Sequence, residues 1–273
     1  MMAIAADPVE DIRFERATGT IGAWVQGIPL TGGRSPQLVK AFQEGLHEHG
    51  VLFFQYDHVL SAEEFAAFGE WVGELEDGYR ISSLEDKPKG DGVMDSDRVP
   101  MKQYNTNQWH SDGTLFERPP QAAMLTPVEL PPAGGDTMWG SMYAAWDDLS
   151  SHYQQLLEGL EVLHSAKRLP WLKSEATAVH PAVIRDPITG RKILFVNANY
   201  SERFLGMSDW ESENLLQMLF QHVNTPEYHV RLKWQPGCIA VWEERVTQHR
   251  GVADFTGTRK MRRLTFIGDR PAS

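Results

Sequence analysis

The chain has 273 residues, enough for one large domain with a real core, and 41% hydrophobic with 23% charged residues is an ordinary globular balance. A formal net charge of -11 argues against a nucleic-acid partner, so any anionic ligand has to be met by a local cluster of positive charge. The single cysteine, Cys238, excludes an intramolecular disulfide framework. With no signal-peptide pattern and no apolar run near the roughly 20 residues that span a bilayer, the expectation is a cytoplasmic protein without a membrane partner.

"SPQLVKAFQEGLHEHG" opens with Ser35 as N-cap and Pro36 at the first helical position, and Gly50 can close it. Leu38, Phe42 and Leu46 recur at four-residue steps and give that helix one apolar face. "VLFFQY" then reads as a buried strand, and "SAEEFAAFGEWVGEL" as a second helix opened by a capping box of Ser61 with Glu64. Residues 76–104 are polar and carry Gly and Pro, which predicts a substrate lid.

From residue 100 the chain is dominated by short β-rich runs: "AAMLTPVEL", "DTMWG", "KILFVN", "CIAVWEE" and "RRLTFIGD". Helices are expected at about 141–160 and at "SDWESENLLQMLFQHV", where Ser208 and Glu211 form another capping box. Cys238, in "GCIAVW", reads as a small buried hydrophobe. No repeat or low-complexity linker divides the chain, so residues 1–273 form one domain. Many short strands without βαβ alternation point to a β-sandwich or jelly roll with helices packed outside, a mainly β fold with flanking helices.

"NQWHSDGTLF" carries two potential metal ligands, His110 and Asp112, whose side chains share a face if the segment is a strand. Such a triplet is weak evidence alone, because about one is expected by chance in a chain of this composition. His249, in "RVTQHRG", could supply a third ligand, and two histidines with one carboxylate make the facial set of non-haem Fe(II) oxygenases. Taken by itself, His249 is better explained as a surface-loop histidine.

Thr137 follows a Gly-Gly turn in "PPAGGDTMWGS" with a hydroxyl free to bond a carboxylate. In "TRKMRRLTF", Arg259, Met261, Arg263 and Thr265 share one strand face, opposite Lys260, Arg262, Leu264 and Phe266. Two arginines on an interior face require anions there, read as carboxylate or sulfonate groups of small molecules. Exposed arginines on an edge strand are the plain alternative.

Taken together, the order and spacing of His110-Ser111-Asp112, Thr137 within "GGDTMW", "RVTQH" ending at His249, and Arg259 and Arg263 before "LTFIGD" resemble the taurine dioxygenase (TauD/TfdA) family. "GTIGAWVQGIPL", "VLFFQ" and the helix after "GGDTMWGSMYAAWDDL" extend the resemblance over nearly the whole chain. It implies a double-stranded β-helix and an Fe(II)- and 2-oxoglutarate-dependent dioxygenase that consumes O2 and releases succinate and CO2. His110, Asp112 and His249 would hold Fe(II), and Thr137 and Arg259 the distal carboxylate of 2-oxoglutarate. Arg263 would face an anionic group of the substrate, with Asn107, Gly113 and Tyr200 as further substrate contacts.

Taurine enzymes carry a histidine just after the "GEL" turn. This chain reads "GELEDGYRISS", which favours alkyl sulfates or longer alkyl sulfonates over taurine, with aryloxyalkanoates as a further class. The resemblance also carries the expectation of a homo-oligomer, a dimer or tetramer. A Zn(II) hydrolase on the same three ligands would leave the arginines and Thr137 without a task. A non-catalytic jelly-roll binding module would lack at least one ligand.

Overall fold

The computed structural model of the chain describes residues 12–30, 34–75, 93–95, 108–169 and 172–273. Strands β1 (Arg13–Arg16) and β2 (Ala23–Gln26) lead into α1 (Pro36–His49), β3 (Val51–Gln55) and α2 (Ala62–Gly69). Then come β4 (Val93–Asp95), β5 (Ala122–Glu129), β6 (Thr137–Ser141), α3 (Met142–Asp147), α4 (Ser151–Leu157) and β7 (Glu161–Ser165). After β8 (Thr177–Pro181), β9 (Val183–Arg185), β10 (Lys192–Leu194), β11 (Ser201–Phe204) and α5 (Asp209–His222), four strands complete the chain. These are β12 (His229–Leu232), β13 (Cys238–Glu243), β14 (Thr247–Gly251) and β15 (Lys260–Phe266).

The helix starts obey local chemistry. The Ser35 side chain accepts from Leu38 N at 3.2 Å, and Gly50 ends α1 at φ 72, where its N–H reaches Leu46 O at 2.8 Å. Both α2 and α5 open with the reciprocal capping boxes, Ser61 with Glu64 and Ser208 with Glu211.

A seven-stranded sheet in the order β1-β2-β3-β13-β5-β15-β4 is antiparallel except where β2 meets β3. A smaller sheet, β12-β6-β14, is extended by a single antiparallel bridge from His110 to His249. Alternation along β3 splits "VLFF" between two cores, which is why the run is apolar throughout. Val51 and Phe53 join Leu125, Trp139, Val230, Trp242 and Met261 in the core shared by the two sheets. Leu52 and Phe54 face the other way, onto Phe42 of α1 and Phe65 and Phe68 of α2. β15 alternates as expected: Met261 joins the first core, Leu264 and Phe266 the second. Two sheets packed face to face with helices outside form the expected jelly roll.

Three expectations change. The single helix at about 141–160 is two, α3 and α4, because Asp148 N closes onto Ala144 O at 3.0 Å and Ser150 is extended before α4 starts. Within 76–104, residues 93–95 are strand β4, paired with β15 from Lys260 opposite Asp95 to Arg262 opposite Val93. The other residues of that expected lid lie outside the described ones. The His110–Asp112 segment is a one-residue bridge running straight into a turn, so the two side chains meet without a continuous strand.

Candidate active site

His110 and His249 face each other across their bridge, each backbone N–H donating to the other's carbonyl at 3.1 and 2.8 Å. Their rings lie 4.4 Å apart, centroid to centroid. Asp112 completes the group: its Oδ1 is 3.6 Å from His110 Nε2 and its Oδ2 3.6 Å from His249 Nε2. All three residues are buried. His110 Nδ1 donates to Gln108 O at 2.7 Å, which fixes the tautomer and turns a bare Nε2 toward Asp112. Two Nε2 atoms and a carboxylate thus converge with their lone pairs inward, a donor set that fits Fe(II) and other divalent transition metals.

Burial keeps both histidines below the ordinary range. For His249 the neighbouring His110 adds to the effect and the shift is large. Neutral imidazoles are what a metal requires of them. Burial alone would push Asp112 up, but the Arg263 guanidinium and the two histidines override it and hold the carboxyl well below the usual range.

Arg259, the residue before β15, reaches β6, the strand paired with the β14 that carries His249. Its Nε donates to Gly135 O at 2.7 Å and its Nη2 to Thr137 Oγ1 at 3.3 Å. Gly135 has φ 73, and a Cβ there would lie 3.0 Å from Arg259 Cδ, so only glycine allows this approach. Trp234 Nε1 also donates to Thr137 Oγ1, at 3.0 Å. Burial lowers the Arg259 guanidinium to about 10, still cationic at neutral pH.

Arg263 also has anionic partners within the chain. Its Nη2 donates to Asp112 Oδ2 and, at 3.3 Å, to Glu244 Oε1, so carboxylates of the chain itself occupy that face. Its guanidinium also lies 5.3 Å from the Trp242 ring centroid. Glu244 was not legible as a site residue: "WEER" at the end of a strand resembles a solvated acidic turn, yet Glu244 is only 1% exposed. Burial and the Asp112 charge push its carboxyl well up, against the pull of Arg263.

Tyr200 is buried in a small apolar cluster with Leu115, Leu169 and Leu172. Burial and the Asp112 charge raise its hydroxyl, against which the Gly113 backbone is placed to donate. Tyr200 and Gly113 therefore lie near Asp112 of the ligand group. Asn107 lies outside the described residues. Trp139 is fully buried in the core between the two sheets, its ring centroid 5.6 Å from that of Trp242.

Residues 13–265 match the profile of the "Taurine catabolism dioxygenase TauD, TfdA family". The chain is 30% identical to an alkylsulfatase of Acinetobacter baylyi, over 98% of its own length and 89% of that protein's. It is 29% identical to an alpha-ketoglutarate-dependent sulfate ester dioxygenase of Pseudomonas putida, over 93% and 88%. A crystal structure of a taurine dioxygenase from Burkholderia xenovorans superposes with a TM-score of 0.82 at 30% identity, covering 96% of this chain and 91% of that one. With the ligand group completed by His249 on β14, and Thr137 and Arg259 meeting at the paired strand β6 of a jelly roll, the chain belongs to the TauD/TfdA family of 2-oxoglutarate-dependent dioxygenases.

Proposed function

We propose that the chain uses Fe(II), 2-oxoglutarate and O2 to hydroxylate a small anionic organic substrate, an alkyl sulfate ester or alkyl sulfonate. One observation carries the reading: two Nε2 atoms and the Asp112 carboxylate converge, and Thr137, on the strand paired with that of His249, is bonded to a buried Arg259. His110, Asp112 and His249 would hold the metal, which supplies the activation of O2 coupled to oxidative decarboxylation of 2-oxoglutarate. Arg259 and Thr137 would hold the distal carboxylate of the cosubstrate, the guanidinium by a fork of parallel N–H donors and the hydroxyl by one more. The Gly135 carbonyl aims that fork by taking Arg259 Nε.

Arg263 would supply the charge that orients the substrate head group, and the Trp242 ring beneath it limits where the guanidinium can move. Tyr200 and its apolar neighbours would exclude water from the target C–H bond. Hydroxylation of a carbon bearing a sulfate ester or sulfonate gives an unstable adduct, which collapses to an aldehyde and releases sulfate or sulfite. The relatives named for sulfate esters support this substrate class. A lone, buried Cys238 fits a reducing cytoplasm, and no helix among the described residues is long and apolar enough to cross a membrane.

The test is a panel of taurine, alkyl sulfonates, alkyl sulfates and aryloxyalkanoates, scored by succinate formation with release of sulfate, sulfite or phenol. Longer alkyl chains should raise kcat/KM, since burial contributes about 0.8 kcal/mol per CH2. Taurine emerging as the best substrate by a wide margin would sink the assignment.

A further inference from the structure

Glu244 sits in the turn after β13, and its carboxyl accepts from three donors. Oε2 accepts from Asp112 N at 3.0 Å, and Oε1 accepts from Trp242 Nε1 at 2.8 Å and from Arg263 Nη2 at 3.3 Å. A fourth donor is within reach. His249 Nδ1 is buried without a hydrogen-bond partner, and Glu244 Oε2 lies 3.7 Å from it. His110 has its own anchor, the Gln108 carbonyl, so Glu244 is the acceptor placed to do the same for His249.

We propose that Glu244 is the positioning residue of this centre, a single buried carboxyl group that fixes two of the three metal ligands and the arginine beside them. It holds Asp112 through the backbone N–H of that residue, steadies the His249 ring through Nδ1–H so that Nε2 points at Asp112, and anchors Arg263 against Trp242. A carboxylate in this position keeps a ligating histidine in one tautomer and makes it a better donor to the metal. Its two oxygens here accept from Asp112 N, Trp242 Nε1 and Arg263 Nη2, and a glutamine would turn an N–H donor toward one side of that set.

The inference rests on the metal site proposed above, and the experiment separates the two. Metal-free full-length protein is titrated with Co(II) alone, and affinity and the d–d absorption spectrum are recorded for wild type, Glu244→Gln, Glu244→Ala and His249→Ala. Glu244→Gln preserves volume and carries the decision if the alanine variant does not fold. It should bind Co(II) roughly 10-fold or more weakly than wild type, the low end of the loss seen when such an outer partner is removed, with a changed d–d spectrum. Trp242→Phe, which removes one donor to Oε1 and leaves Oε2 on Asp112 and His249, should bind close to wild type. Glu244→Gln within twofold of wild type and with the same spectrum overturns the role of Glu244 and leaves the metal site standing. A folded wild type that takes up no Co(II) overturns both.

Discussion

The Arg259 side chain is held by a backbone carbonyl and a small hydroxyl side chain. Arg259 is aimed by the Gly135 carbonyl and Thr137, so a lysine in its place keeps charge but loses the fork. We expect Arg259→Lys to raise the apparent KM for 2-oxoglutarate by an amount equivalent to about 1.5–3 kcal/mol, the range for a charge-assisted hydrogen bond. An unchanged KM, with a large loss in Arg263→Lys, would move the cosubstrate to Arg263. His110, Asp112, His249, Thr137 and Arg259 were all readable in the sequence, because each stands in a short run whose order the family resemblance fixes. Glu244 was not, since its partners come from positions 112, 249 and 263 and only folding brings them to one point. The self-pairing of Arg263 was hidden for the same reason.

Among the elements, the helices and apolar strands were legible because caps and alternation are local signals. "EVLHS", "TAVHP" and "HVRL" were not, being short and half exposed, with polar residues that bond across to other segments. One such bond set ties three elements together. His47 of α1 lies 3.1 Å from Asp186, in the turn after β9, and 3.9 Å from Glu243 at the end of β13. Tyr143 of α3 also donates to Asp186, and Arg245 Nε pairs with Glu243 at 2.9 Å. His47, Asp186 and Glu243 are buried, so removing one carboxylate strands the rest. Asp186→Ala should cost about 1–3 kcal/mol in chemical denaturation, the range for leaving a buried polar partner without its hydrogen bond. A loss below ~1 kcal/mol, the ceiling for most exposed pairs, would show that the network behaves like a solvated surface contact.

At the scale of the whole molecule, the jelly roll buries several histidines that must stay neutral for the fold to persist. Burial lowers His164 far below its ordinary value of 6.5, and lowers His180 beside it as well. A histidine with a depressed folded pKa is protonated more readily in the unfolded chain. Its contribution is therefore intact above the ordinary value and is lost as pH falls below it. Thermal midpoints should accordingly drop between about pH 7 and about pH 5, and His164→Asn should make that decline shallower. A profile equally steep in wild type and variant would contradict the assignment of a buried neutral His164.

The central claim is that His110, Asp112 and His249 form one metal site opening onto a 2-oxoglutarate pocket at Arg259 and Thr137. It is tested most directly by anaerobic addition of 2-oxoglutarate to protein loaded with Fe(II). Chelation of the metal by the cosubstrate should produce a weak visible charge-transfer band in wild type. The band should disappear in His249→Ala and require more 2-oxoglutarate in Arg259→Lys. Folded wild-type protein that shows no band and forms no succinate when O2 is admitted would contradict the account, as would a band of full strength in His249→Ala.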